Sequence, residues 1–190
     1  MSNLMSNRDG QKHNANFNVE FSDEAPFYIK FGDNHTMGTF NNKIEAEFTP
    51  PKKWVLSRAL SYQNYDIDMS ALEVIGVKTD ASKIKCSKGF ITDLASTPKA
   101  LWWMIAPWDI ARAAIIHDQL YLAIRQYRAK ADHDKKLVGP AKVAADKVFK
   151  EAMKDADPKV PGWKIYAAWK AVDLFGRWSI IPRKEDKTNK

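Results

Sequence analysis

The sequence predicts an α+β fold, with an N-terminal strand-rich part packed against a C-terminal bundle of about four helices. Three observations predict it. Up to residue 92 the apolar residues come in short β-branched and aromatic runs, punctuated by Gly, Asn, Asp and Pro. Beyond Pro98 the apolar spacing changes to three and four residues, the period of helices. With 190 residues, 45% of them hydrophobic and 12% aromatic, the chain has the material for a real core.

Taken in order, residues 1–20 are rich in Asn and Ser and lack periodicity, which reads as a flexible polar arm. Residues 21–92 form the strand-rich segment, with strands expected at Pro26–Phe31, Lys53–Leu56, Leu72–Val77 and Ile84–Cys86. Asp33-Asn34 suits a turn and Pro50-Pro51 a stiff joint. Residues 93–178 make the helical part. Ser96 or Thr97 caps a short helix entered at Pro98, and Asp109 to Gln126 is apolar nearly all round, as a buried helix is. Asp132 to Gly139 reads as a polar connector. Ala141 to Ala156 is amphipathic, with Val148, Phe149, Ala152 and Met153 facing inward. Pro161-Gly162 opens a last helix, Trp163 to Phe175, with Gly176 as its C-cap. Residues 179–190 read as a basic tail, and no internal repeat is visible.

Charge is distributed unevenly. Residues 128–190 hold 16 Lys or Arg against 9 Asp or Glu, an excess equal to the whole chain's +7, so the first two-thirds is neutral. A basic third of this kind attracts nucleic acid, an anionic cell-wall polymer or an acidic protein surface, or is simply a solvated lysine-rich helix face. Cys86 is the only cysteine, which excludes an intramolecular disulfide and a cysteine-based zinc knuckle. The start of the chain has no apolar stretch of the signal-peptide kind, and the longest apolar run, Ala100 to Pro107, is too short to span a bilayer. The expectation is a soluble protein made in the cytoplasm, with no membrane span. Four of the seven tryptophans, Trp102, Trp103, Trp108 and Trp163, lie in the second half near the candidate site and read as core.

The chemistry concentrates in residues 89–121, where Asp93, Ser96, His117 and Asp118 sit in a strongly apolar stretch. Such groups need partners, a metal or a catalytic role when buried. His117 and Asp118 are about 100° apart around their helix and can border one pocket from two sides. Asp146 lies against the apolar stripe of the next helix. Three readings follow. His117, Asp118 and Asp146 suit a divalent cation, zinc or manganese, with Asp93 orienting water or serving as general base. Alternatively, Ser96 is a nucleophile, with His117 as base and Asp146 as orienter. In the third reading the same residues form a closed hydrogen-bond network, with His117 paired to an acid and Asp118 accepting from Tyr121 or a backbone group.

The pattern Gly89-Phe90-x-Thr92-Asp93-x-Ala95-Ser96-x-Pro98, His117-Asp118-x-x-Tyr121, Ala145-Asp146-x-x-Phe149-x-x-Ala152-Met153 and Phe175-Gly176 resembles domain-of-unknown-function family 1353. The resemblance covers residues 84–176. The chain departs from the family in a longer lysine-rich stretch from Arg125 to Lys142 and in the added strand-rich segment and arm. The family is common in tailed phages and prophages, so the resemblance implies a phage origin. It further implies a virion-associated protein, of the tail, synthesised in the bacterial host cytoplasm, with other virion proteins and a bacterial cell-wall polymer as partners. Metal-dependent hydrolysis of the envelope is the activity expected by analogy with that setting. A non-catalytic tail or connector component, and an accessory protein binding a host factor or nucleic acid, are the other functions weighed.

Overall fold

The computed structural model describes residues 37–50, 53–92 and 107–187 of the chain. The expected strand at Pro26–Phe31, the turn at Asp33-Asn34, the short helix after Pro98 and the site residues Asp93 and Ser96 lie outside the described residues.

Alternation builds the N-terminal part as expected. In β5 (Lys83–Cys86) Ile84 and Cys86 are buried while Lys85 is exposed, a period of two with one face inward. β4 (Leu60–Gln63) is buried along its whole length because it is the central strand of its sheet. It pairs antiparallel with β1 (Thr39–Phe40) on one side and β5 on the other, in the register Tyr62↔Phe40 and Tyr62↔Ile84. A second antiparallel sheet has the order β2-β3-β6, with β2 at Ala46–Thr49, β3 at Lys53–Leu56 and β6 at Ile91–Thr92.

One expected strand is a helix. Leu72–Val77 contributes to α1 (Ser70–Val74) and the turn after it. Met69, Leu72 and Ile75 are all buried and lie three residues apart, a helical spacing hidden by the β-branched composition. The Asp68 carboxylate accepts from the Ser70 N–H at 2.9 Å, which starts the turn, and Gly76 at φ +94° ends it.

The helical part follows the predicted periodicities with three changed boundaries. α2 (Pro107–Ala129) buries residues on every side, including Ile110, Ile115, Ile116, Leu120 and Ile124. α3 (Lys135–Lys154) begins inside the stretch expected as a polar connector, because Asp134 caps it by accepting the Lys136 N–H at 2.8 Å. Pro140, the sixth residue, lies inside α3 and offers no N–H to the carbonyl one turn back. α4 (Gly162–Ser179) runs straight through Gly176 rather than ending there. That glycine serves a close approach: a Cβ on it would collide with the Tyr121 hydroxyl of α2. α4 stops at Ser179, and its last carbonyls are taken by arginines of α2. Arg125 donates to Ser179 O at 3.4 Å and Arg128 to Ile180 O at 2.7 Å. A short 3-10 turn, Glu185–Lys187, brings the buried Asp186 to within 3.0 Å of Arg125 Nε.

The core lies where α2 and α3 meet the first sheet: Leu60, Tyr62, Ile84 and Leu72 pack with Ile116, Leu120, Phe149 and Met153 in one apolar cluster. A polar joint closes one end of it. The Tyr62 hydroxyl donates to Asp155 Oδ2 at 2.6 Å, and the Asn64 amide donates to the same oxygen at 3.3 Å. Asp155 is the residue that ends α3. No helix among the described residues is long and apolar enough to cross a membrane.

Candidate functional site

Asp146 sits in the middle of the inward face of α3, between Ala144, Ala145, Val148 and Phe149, so its carboxylate points into the helix interface. A charge there requires partners, and three side chains provide them. His117 Nε2 on α2 lies 3.0 Å from Asp146 Oδ1. Tyr121, one turn further along α2, donates its hydroxyl to the same oxygen at 2.7 Å. Lys142, one turn before Asp146 on α3, donates Nζ to Oδ2 at 2.6 Å. The same ammonium reaches the Val172 and Asp173 carbonyls of α4, at 3.2 and 3.4 Å. One carboxylate therefore ties three helices together. The imidazole is packed between the rings of Tyr121 and Phe149, with centroids 3.9 and 4.7 Å away.

His117 is 6% and Asp146 4% exposed, which makes the network part of the interior. Burial alone would push the Asp146 carboxyl up. The hydrogen bond and charge of His117, with the bonds from Lys142 and Tyr121, outweigh it and hold the group below the ordinary Asp value. Burial, then the neighbouring Asp146 charge, pushes the Tyr121 phenol far up, so it remains a donor. Among the described residues no buried side-chain nitrogen or oxygen lacks a hydrogen-bond partner.

Asp118, the next residue after His117, faces the sheet. Thr92 at the end of β6 donates its hydroxyl to Asp118 Oδ2 at 2.5 Å. Behind it, Cys86 is fully buried and its Sγ donates to Ile115 O at 3.6 Å. Burial and the Asp118 charge push that thiol well above its ordinary value, which leaves it neutral and unreactive. The two neighbours on α2 thus serve different partners: His117 joins Asp146, Asp118 joins Thr92. Tyr121, expected as a donor to Asp118, donates to Asp146 instead. Among the described residues no three His, Cys, Asp or Glu side chains form a group able to hold a metal.

Beside this network lies a cavity of about 260 Å³, bordered by His117, Asp118, Tyr121, Arg125, Phe175 and Trp178 among others. Its floor is the polar pair on α2 and its far wall the last turns of α4. The volume accommodates a small molecule or one unit of a polymer.

Three participants escape the sequence reading. Of these, Lys142 is legible in retrospect as a cation four residues before Asp146 on one helix face. The role of Gly176 as the surface on which the Tyr121 hydroxyl rests, and the bond from Thr92 to Asp118, carry no local signal. Both depend on how separate elements are placed. The second His-Asp pair of the sequence, His133-Asp134, is used differently. Asp134 caps α3, and His133 Nδ1 lies 2.7 Å from Lys130 O.

A family model described as "Protein of unknown function (DUF1353)" matches residues 69–172, more than half of the chain. The match spans the helix α1, the network residues of α2 and α3, and most of α4. No curated protein and no solved structure matches.

Proposed function

The chain belongs to the family described as protein of unknown function DUF1353, and from that premise we propose a virion-associated tail protein of a phage. In this proposal the His117–Asp146 pair is an acid–base site for hydrolysis of a bacterial envelope polymer. The observation that carries the chemistry is the pairing of one imidazole nitrogen with a buried carboxylate 3.0 Å away, on a residue that borders an open cavity. A carboxylate so placed fixes the ring orientation and stabilises the imidazolium formed when the base takes a proton. His117 Nδ1 is then the atom that exchanges protons with a water or substrate in the cavity. Asp118 borders the same cavity and can accept from a substrate hydroxyl.

Lys142 bears on the metal reading. Its ammonium sits 2.6 Å from Asp146 Oδ2, the place a divalent cation would take, and supplies positive charge there. A zinc or manganese ion bound to His117 and Asp146 would have to displace it, which predicts weak, Lys142-sensitive metal uptake.

The test is release of soluble fragments from purified peptidoglycan by the wild type, His117→Gln and Asp146→Asn proteins, with bound metal measured by mass spectrometry on each. His117→Gln, folded by circular dichroism, should lose activity by about a hundredfold or more, the usual contribution of a general base. Wild-type protein that leaves peptidoglycan and its cross-linked fragments intact sinks the hydrolase reading.

A second reading is favoured by the closure of the network: each oxygen of Asp146 is bonded to its own neighbours, and His117 is almost wholly buried. The same residues then act as an internal lock of α2, α3 and α4 in a non-catalytic tail or connector component. In that case His117→Gln lowers the denaturation midpoint and no substrate is turned over by any variant.

A further inference from the structure

α4 is apolar on two opposite sides. Its inner side buries Ile165, Ala168, Ala171 and Gly176 against α2 and α3. Its outer side carries Trp163, which the sequence reading placed in the core, with Tyr166 and Leu174, exposed by 56, 59 and 60%. Ile181, just past the helix end, is exposed by 49%. Positions 163, 166, 170, 174 and 177 follow steps of three and four, so they form one stripe along the helix. The two members that are not apolar, Lys170 and Arg177, are both cations. A helix with a second apolar stripe facing water is a surface that something covers.

The chemistry of the stripe selects its occupant. The two cations of the stripe lie over rings on its flanks: the Arg177 guanidinium is 4.2 Å from the ring centroid of Trp178, which borders the cavity, and the Lys170 ammonium 4.6 Å from that of Trp169, which packs against the core. Lys150 of α3 lies 4.4 Å from the same Trp169 ring, and Lys164 lies 5.8 Å from Trp163. Asp173 is the single acid of α4, and Lys170 pairs with it at 3.3 Å. A second copy of the chain laid on this stripe would set cation against cation. An anionic surface meets both demands. Indole and phenol rings prefer the boundary between water and hydrocarbon, and lysine and arginine extend their charged ends to anionic headgroups.

We propose that the outer face of α4 docks flat on an anionic lipid bilayer, with Trp163, Tyr166, Leu174 and Ile181 entering the headgroup boundary and Lys164, Lys170 and Arg177 contacting lipid phosphates. The helix does not span the bilayer; its inner face stays on the protein core. Attraction of this kind is strongest at low ionic strength, because exposed charges are screened within about 10 Å at 0.1 M salt.

The experiment is co-sedimentation of the full chain with vesicles of phosphatidylcholine containing one-third phosphatidylglycerol, beside vesicles of phosphatidylcholine alone. Binding to the anionic vesicles should be about tenfold tighter than to the neutral ones and should weaken as salt rises. The triple variant Trp163→Ser, Tyr166→Ser, Leu174→Ser and the double variant Lys170→Glu, Arg177→Glu alter exposed side chains, and circular dichroism verifies that both still fold. Each should lose vesicle binding by about tenfold or more. Failure of the wild type to bind anionic vesicles overturns the proposal. So does equal binding by wild type and triple variant, or a wild-type dimer in light scattering that the triple variant abolishes.

Discussion

α3 carries two carboxylates against the protein interior, and their surroundings drive them in opposite directions. Asp146 in mid-helix meets His117, Lys142 and Tyr121; Asp155 at the helix end meets Tyr62 and Asn64. Both accept a short bond from a buried tyrosine, at 2.7 and 2.6 Å. In both, a glycine leaves room for that hydroxyl: a Cβ on Gly176 would strike Tyr121, and one on Gly38 would strike Tyr62 and Asp155. What differs is the charge of the partners. Asp146 has cationic or ionisable donors and is held below the ordinary Asp value despite its burial. For Asp155 burial is the largest influence, its donors are neutral, and the Glu151 charge adds to the push, so its carboxyl titrates above the ordinary value. One geometry thus gives a persistent anion in one place and an easily protonated acid in the other. The proposed acid–base role rests on the Asp146 side, where a charge able to orient an imidazole is maintained.

The comparison breaks hardest at the carboxylates themselves. Asp146→Ala leaves Lys142, His117 and Tyr121 facing an uncompensated interior and should cost about 3–5 kcal/mol. Asp155→Ala removes an acceptor from two neutral donors and should cost about 1–3 kcal/mol. Chemical denaturation of the two variants checks the order; a reversed ranking would mean that the charge of the partners does not set the cost. Next come the glycines. Gly176→Ala and Gly38→Ala each force a tyrosine hydroxyl aside and should cost about 1–3 kcal/mol by overpacking. Combining Gly176→Ala with Tyr121→Phe removes the colliding oxygen, so the pair should cost less than the sum of the single changes, as a double-mutant cycle reads.

Titration separates the two acids with the smallest signal and the clearest sign. An acid whose folded value is depressed binds fewer protons folded than unfolded. Asp146 therefore contributes stability above its unfolded value near 3.8 that is lost as pH falls through the lower folded value. An acid whose folded value is raised behaves oppositely: Asp155 makes stability fall as pH rises from 3.8 through its higher folded value. Denaturation midpoints measured across the acid range should show the Asp146 contribution vanish in Asp146→Asn, and the opposing Asp155 slope vanish in Asp155→Asn. Parallel shifts of the whole curve by both variants, with slopes unchanged, would refute the opposed titrations.

Much of this is legible residue by residue. β3 lies at Lys53–Leu56 as its composition predicts, and the buried faces of α2 and α3 follow from apolar spacing. His117 and Asp146 stand out as polar groups in apolar surroundings, and they are in contact. The misreadings share a cause. Leu72–Val77 reads as a strand when its β-branched residues carry more weight than the three-residue spacing of Met69, Leu72 and Ile75. Gly176 reads as a helix end because a glycine after an apolar stripe usually is one. Lys135–Gly139 reads as part of a connector because the stretch from Asp132 is polar. In each case composition is ambiguous, and packing against another element resolves it.

By itself the sequence determined the α+β class, the inward faces of the helices, the neutral first two-thirds and basic last third, and the signature by which the chain resembles its family. These properties are local, since hydrophobic period and turn chemistry act over a few residues. The sequence offered Asp146 as the orienter of His117 in one of its readings; tertiary structure decided that this contact is made, that Thr92 takes Asp118, and that Lys142 neutralises a carboxylate shared by three helices. The physical reason is distance. A hydrogen bond changes from made to absent over less than about 1 Å, whereas helical periodicity places a side chain only to within a fraction of a turn. Only the packing of α2, α3 and α4 against one another supplies the missing precision.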